Sequence, residues 1–144
     1  MTNKNTKHLL TVGLSRGALA GILHVVIWGG FIATGLVVIN KDLSEAIFLI
    51  PFLILGIPIG LLVGVVYGLV ISIIAKSFQI VEYVPKIALI LGVLTGILYP
   101  FVLIAIGDDP LSETIVAFIG GSVAGGISGW FGGRLFTQAL SIQT

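Results

Sequence analysis

A chain of 144 residues that is 57% hydrophobic and 9% charged, with a mean hydropathy of +1.20, has too few charges to clothe a water-soluble domain. That composition specifies an integral membrane protein, and a net charge of +1 without a Lys/Arg cluster offers nucleic acid no footprint. Cysteine is absent, which excludes disulfides, thiolate metal sites and a cysteine nucleophile.

Met1–His8 is a short polar tail carrying Lys4 and Lys7. Such a tail can serve as the leading region of a signal peptide. Arg16 interrupts the apolar stretch that follows and no small-residue cleavage site appears, so the tail is read as retained. The first span is expected at about 17–39, between Arg16 and Lys41. Asn40-Lys41-Asp42 reads as a turn. Leu43-Ser44-Glu45 then reads as a helix start, with Ser44 as N-cap, Glu45 in the first turn and Leu43 stapled against Phe48.

The second span is uncharged over 46–75, longer than a bilayer requires, so it must tilt, kink at Pro51 or Pro58, or begin in the interface. Within it, Gly56, Gly60, Gly64 and Gly68 recur at a spacing of four and share one helix face. In water this would be a poor helix, since each interior glycine costs about 1 kcal/mol relative to alanine. In a bilayer the helix is imposed by the backbone, and the glycines form a groove for a close neighbour.

Lys76–Lys86 is the next polar connection, with Pro85 at the start of a third span expected at about 87–106. Gly107-Asp108-Asp109-Pro110 reads as a turn and Leu111-Ser112-Glu113 as a second helix start. The fourth span, about 114–134, carries Gly121, Gly125, Gly129 and Gly133, with a helical tail through Leu140. The expected fold is therefore an all-α bundle of four transmembrane helices in a single membrane domain. The basic residues Lys4, Lys7, Arg16, Lys76, Lys86 and Arg134 fall on one side and Lys41 alone on the other. By the positive-inside rule both termini are cytoplasmic, as in a bacterial inner-membrane protein.

The two halves resemble each other. Gly17 and Gly21 correspond to Gly92 and Gly96, the two Leu-Ser-Glu starts correspond, and the two four-glycine stripes follow in the same order. Residues of about 9–76 and 85–140 then form two parallel two-helix repeats with an axis along the membrane normal, not the inverted repeats of many transporters.

Polar candidates inside the spans are few. His24 lies on the face of Gly17 and Gly21, and its repeat counterpart is Tyr99, three residues beyond Gly96. The pair reads as a polar site serving a relay, a pore or a porphyrin ligand, against a plain hydrogen bond that fixes helix register. Arg16, Lys76, Lys86 and Arg134 are candidates for lipid-headgroup contact, and otherwise snorkelling anchors. Tyr67, on the stripe of Gly60 and Gly64, and Trp28, on the His24 face, fill space opposite glycines, with Trp28 and Trp130 alternatively anchoring the interface. No Asp or Glu lies inside a span and no catalytic, phosphate-binding or metal motif is present, so the reading calls for no enzyme, cofactor or metal.

Two functions fit. An accessory, assembly or structural subunit would pack against other transmembrane helices and lipid, and the glycine faces exceed what four helices need among themselves. A homo-oligomeric channel or transporter for a small neutral or weakly charged solute would need a continuous polar path.

Overall fold

The computed structural model describes residues 3–78, 80–106 and 111–141. It is helical throughout these residues: α1 (Asn3–Asn40), α2 (Leu49–Phe78), α3 (Val84–Ile106) and α4 (Leu111–Ser141), with short 3-10 turns over Leu43–Phe48 and Val81–Tyr83. Three stretches, Thr6–Asn40, Leu49–Phe78 and Val81–Leu98, are long and apolar enough to cross a membrane. α4 has 31 residues, one more than α2, and carries seven glycines with Ser122 and Ser128 along it. With 38 residues, α1 is about 57 Å long at 1.5 Å per residue, far more than the roughly 30 Å hydrocarbon layer. Its N-terminal turns therefore continue the first span towards the polar tail as unbroken helix.

Between α1 and α2 the chain turns at Lys41, whose positive φ of 53° ends α1 in the left-handed manner of a C-terminal cap. The next cap differs from the expected one. Asp42, not Ser44, is the capping acceptor: the Ser44 backbone N–H donates to Asp42 Oδ1 at 2.9 Å. Leu43 is 81% exposed, and α2 proper begins only at Leu49. The excess length of the second apolar run is thus taken up by a 3-10 segment. Pro51 falls in the first turn of α2, where its missing N–H costs no helical bond, and Pro58 lies inside the helix. The side chains of Glu45, Phe48 and Pro100, the 107–110 turn and the side chains of Leu111-Ser112-Glu113 lie outside the described residues.

The helices pair as two antiparallel hairpins, α1 on α2 and α3 on α4, joined by α1 against α4. In the first hairpin Gly13, Gly17 and Gly21 face Gly68, Gly64 and Gly60. A methyl group built on Gly60 would lie 2.7 Å from the Gly21 carbonyl oxygen, and one on Gly64 would lie 2.9 Å from Gly21 Cα. In the second, Gly92 and Gly96 face Gly125 and Gly121, and Gly129 faces Ala88. A methyl on Gly125 would come within 2.7 Å of the Gly92 carbonyl carbon. Gly133 meets Pro85 Cα at 2.7 Å by the same construction, and Gly56 meets Val25 Cγ1 at 2.8 Å. The glycine faces are therefore occupied by partners within the chain. The surplus of grooves expected from the sequence is absent along these stripes.

Two features bear on the internal likeness of the halves. The sequence alignment pairs Gly60 with Gly125, whereas in the packing Gly125 faces Gly92, the counterpart of Gly17, whose own partner is Gly64. The hairpins thus differ by one helical turn under that alignment. A stripe of period four matches itself after a shift of four, so the sequence cannot fix this register. In addition, a twofold would make α2–α3 the equivalent of α1–α4. α1 and α4 instead pack closely, through Gly132 on Ala20 and Gly120 on Phe31, while α2 and α3 scarcely touch.

The buried apolar core gathers at one end, where the start of α1, the end of α2, the start of α3 and the end of α4 converge. Leu9, Val12, Ile71, Ala75, Val84, Ala88 and Phe136 form it, and Ser72 ties α1 to α2 there by donating towards the Leu9 and Gly68 carbonyls at 3.3 and 2.8 Å. Away from that end α2 and α3 diverge.

Candidate functional site

The divergence of α2 from α3 leaves a cleft whose floor is α1 and α4. It holds a cavity of about 150 Å³ lined by Ala20, His24, Trp28, Phe52, Gly56, Val63, Tyr67, Thr95, Ser128 and their glycine neighbours. Its depth follows from the register: Gly21 faces Gly60, midway along the uncharged 46–75 run, and His24 lies one turn beyond Gly21.

His24 is half-buried and reaches across from α1 to α4, its Nδ1 3.5 Å from Ser128 Oγ. Ser128 is 4% exposed and donates within its own helix to the Ala124 carbonyl at 2.7 Å. The expected counterpart, Tyr99, lies in α3 with a side chain outside those described. The sequence offers Ser128 as one of several small polar residues at helix interfaces, but its meeting with His24 is not legible there, because nothing in the spacing of α4 fixes how it meets α1.

Trp28 is 4% exposed, so it is a packing residue and no interfacial anchor. Its indole N–H points at the Ala117 carbonyl at 3.4 Å and its ring meets Phe52 edge to face, centroids 5.3 Å apart. Gly29 makes room for this pair: a methyl there would lie 2.8 Å from the Phe52 ring. Trp130, by contrast, is 41% exposed and carries the Arg134 guanidinium 4.9 Å from its ring centroid.

Tyr67 closes the cleft at its core end. Its hydroxyl donates to the Ala88 carbonyl and so bridges the two helices that otherwise scarcely meet. Below the bridge a second void of about 20 Å³ is lined by Gly13, Arg16, Tyr67, Ala88, Phe136 and adjacent glycines. Tyr67 sits on the expected glycine face, but its bridging role was not legible, since it depends on where α3 lies.

The four basic candidates fall at the core end of the bundle. Arg16 is half-buried, while Lys76 and Arg134 are exposed. Lys86 is also exposed and lies 5.9 Å from the Tyr83 ring centroid. Thr34 and Thr95 face outward or into the cleft and bond back to the Gly30 and Leu91 carbonyls of their own helices, and among the described residues no polar file crosses the bundle. Among the described residues no three His, Asp or Glu side chains come together as a metal site.

No protein-family model, curated protein or solved structure matches this chain.

Proposed function

We propose that the chain is a non-enzymatic, multi-pass membrane protein that serves as an accessory, assembly or structural subunit by packing against other transmembrane helices. The observation that carries this reading is the lateral cleft between α2 and α3. Two apolar helices diverge there without a partner, and their side chains, such as Ile59 and Val63 at 59% and 53% exposure, face outward. In lipid, close packing and not apolar burial drives helix association, so an irregular cleft is filled better by a shaped helix than by mobile acyl chains.

In this reading α4 is the fourth span. It runs antiparallel along both α3 and α1, and so shares their depth in the bilayer. The arrangement is two parallel two-helix repeats with glycine-zipper packing, and the basic residues at the core end put both termini in the cytoplasm of a bacterial cell. Lipids and membrane helices are the partners, nucleic acid is not, and no cofactor is required. Solubilising a tagged chain gently from native membranes and measuring the mass of what is recovered tests the reading. A discrete assembly with other membrane subunits is expected, and a chain recovered alone would refute it.

A second reading has a specific observation behind it. His24, Ser128, Thr95 and Tyr67 place polar groups in the cleft at mid-bilayer, as a homo-oligomeric channel or transporter would require. Against it, the core of Ala75, Val84 and Phe136 plugs the other end in the single copy. Recovery of a homo-oligomer alone, with solute flux in liposomes, would favour this second reading.

A further inference from the structure

The hydroxyls of the cleft have spent their protons and can only accept, and the strongest acceptor beside them is an imidazole nitrogen of His24. Thr95 donates to the Leu91 carbonyl, Tyr67 to the Ala88 carbonyl and Ser128 to the Ala124 carbonyl, so each hydroxyl spends its single proton on backbone. Towards His24, Ser128 Oγ therefore stands as an acceptor, and the Ala124 carbonyl beside it accepts from the ring as well. A charge at this depth is costly, so the imidazole is neutral and has one N–H. With that proton turned to α4, the other ring nitrogen is a bare acceptor, and no donor among the described residues meets it.

The space beside it has a definite size and character. A volume of about 150 Å³ is enough for one aromatic ring. The walls are the Trp28–Phe52 edge-to-face pair and Tyr67, which suit a further ring better than a saturated chain. The cavity opens between α2 and α3, which scarcely touch, so its mouth lies on the outer face of the bundle.

We propose that the cleft binds a phenol-headed lipophile, with its ring against Trp28 and Phe52 and its hydroxyl donating to the unprotonated nitrogen of His24. The apolar tail leaves between α2 and α3 into the bilayer. The proposal concerns the same cleft as the accessory reading but does not rest on it: a helix seated between α2 and α3 would compete with the tail for the exit, and the binding test below needs only the chain by itself in detergent.

The test uses the full chain in detergent with Trp130→Phe, which leaves Trp28 as the remaining tryptophan of the two. Its fluorescence is followed while 4-propylphenol, or its methyl ether 4-propylanisole, is added. The phenol is expected to saturate the signal with an affinity about fivefold to tenfold higher than the ether, which cannot donate. His24→Leu should abolish that preference, and His24→Gln, whose carbonyl still accepts, should keep it. If His24→Leu does not fold, the phenol–ether comparison with His24 in place decides alone. Equal affinities, a preference that survives His24→Leu, or no saturable response to either compound would overturn the proposal.

Discussion

Replacing Gly64 by alanine tests the packing of the first hairpin at its centre. The added methyl would stand 2.9 Å from both Cα and N of Gly21, and closer still to the Gly17 carbonyl oxygen. Carbon atoms in contact prefer about 3.5–4.0 Å, so α1 and α2 must part by about 1 Å. A gap of that size forfeits a quarter to a half of each pair's attraction, itself about 0.1–0.2 kcal/mol. Over roughly 40–60 atom pairs, the number one large buried side chain makes, the loss is about 1–6 kcal/mol, centred near 3. Unfolding in mild detergent by added SDS, followed by Trp28 fluorescence and far-UV circular dichroism, measures it. Leu62→Ala is the control: Leu62 is 64% exposed, and its truncation should cost less than about 1 kcal/mol. Gly64→Ala and Leu62→Ala unfolding at the same SDS fraction would refute the close-approach argument.

Gly30→Ala should do the opposite of Gly64→Ala. A methyl there meets open space, and alanine in place of glycine stabilises a helix by about 1 kcal/mol, which the same titration reads as a shift to higher SDS. Tyr67→Phe removes the hydroxyl bridge from α2 to the Ala88 carbonyl of α3. It should cost about 1 kcal/mol and speed hydrogen exchange in the first turns of α3, leaving the α1–α2 face protected. Ser72→Val places a branched side chain at a site with 0% exposure between α1 and α2, and should destabilise by about 1–3 kcal/mol in the same assay.

The turn between α1 and α2 responds to pH. The Ser44 N–H, and then its hydroxyl, hold the Asp42 carboxyl below its ordinary 3.8. A depressed folded-state value means that the turn is supported above pH 3.8 and loses that support as the pH falls through the lowered value. Amide exchange at Ser44 should therefore rise only in strong acid, and Asp42→Ala should show the raised rate at every pH.

The glycines made much of the fold legible, because a spacing of four defines one helix face whatever lies opposite. They also encoded a second interface. Gly120-Gly121 and Gly132-Gly133 are adjacent pairs, and neighbouring residues on a helix point about 100° apart. One member of each pair faces α3 and the other faces α1. What stayed hidden was the register between elements. A periodic stripe fits its partner equally well after one turn, so Gly125 was matched to Gly60 when it plays the part of Gly64. The cap was misassigned for a local reason, since Asp42 and Ser44 both fit the pattern and only the backbone at Lys41 selects between them. The cleft was illegible because it arises from an inequality, α1 against α4 but not α2 against α3, that two similar half-sequences do not announce.

The accessory reading rests on what fills that cleft in the native membrane. A photo-crosslinking residue placed in turn at Ile59, Val63, Leu62 and Val66 of α2 addresses it directly, since the first two line the cleft and the last two are exposed outside it. Crosslinks to a distinct membrane polypeptide from Ile59 and Val63, and not from Leu62 and Val66, are the predicted result. Crosslinks to lipid alone at all four positions would contradict the account.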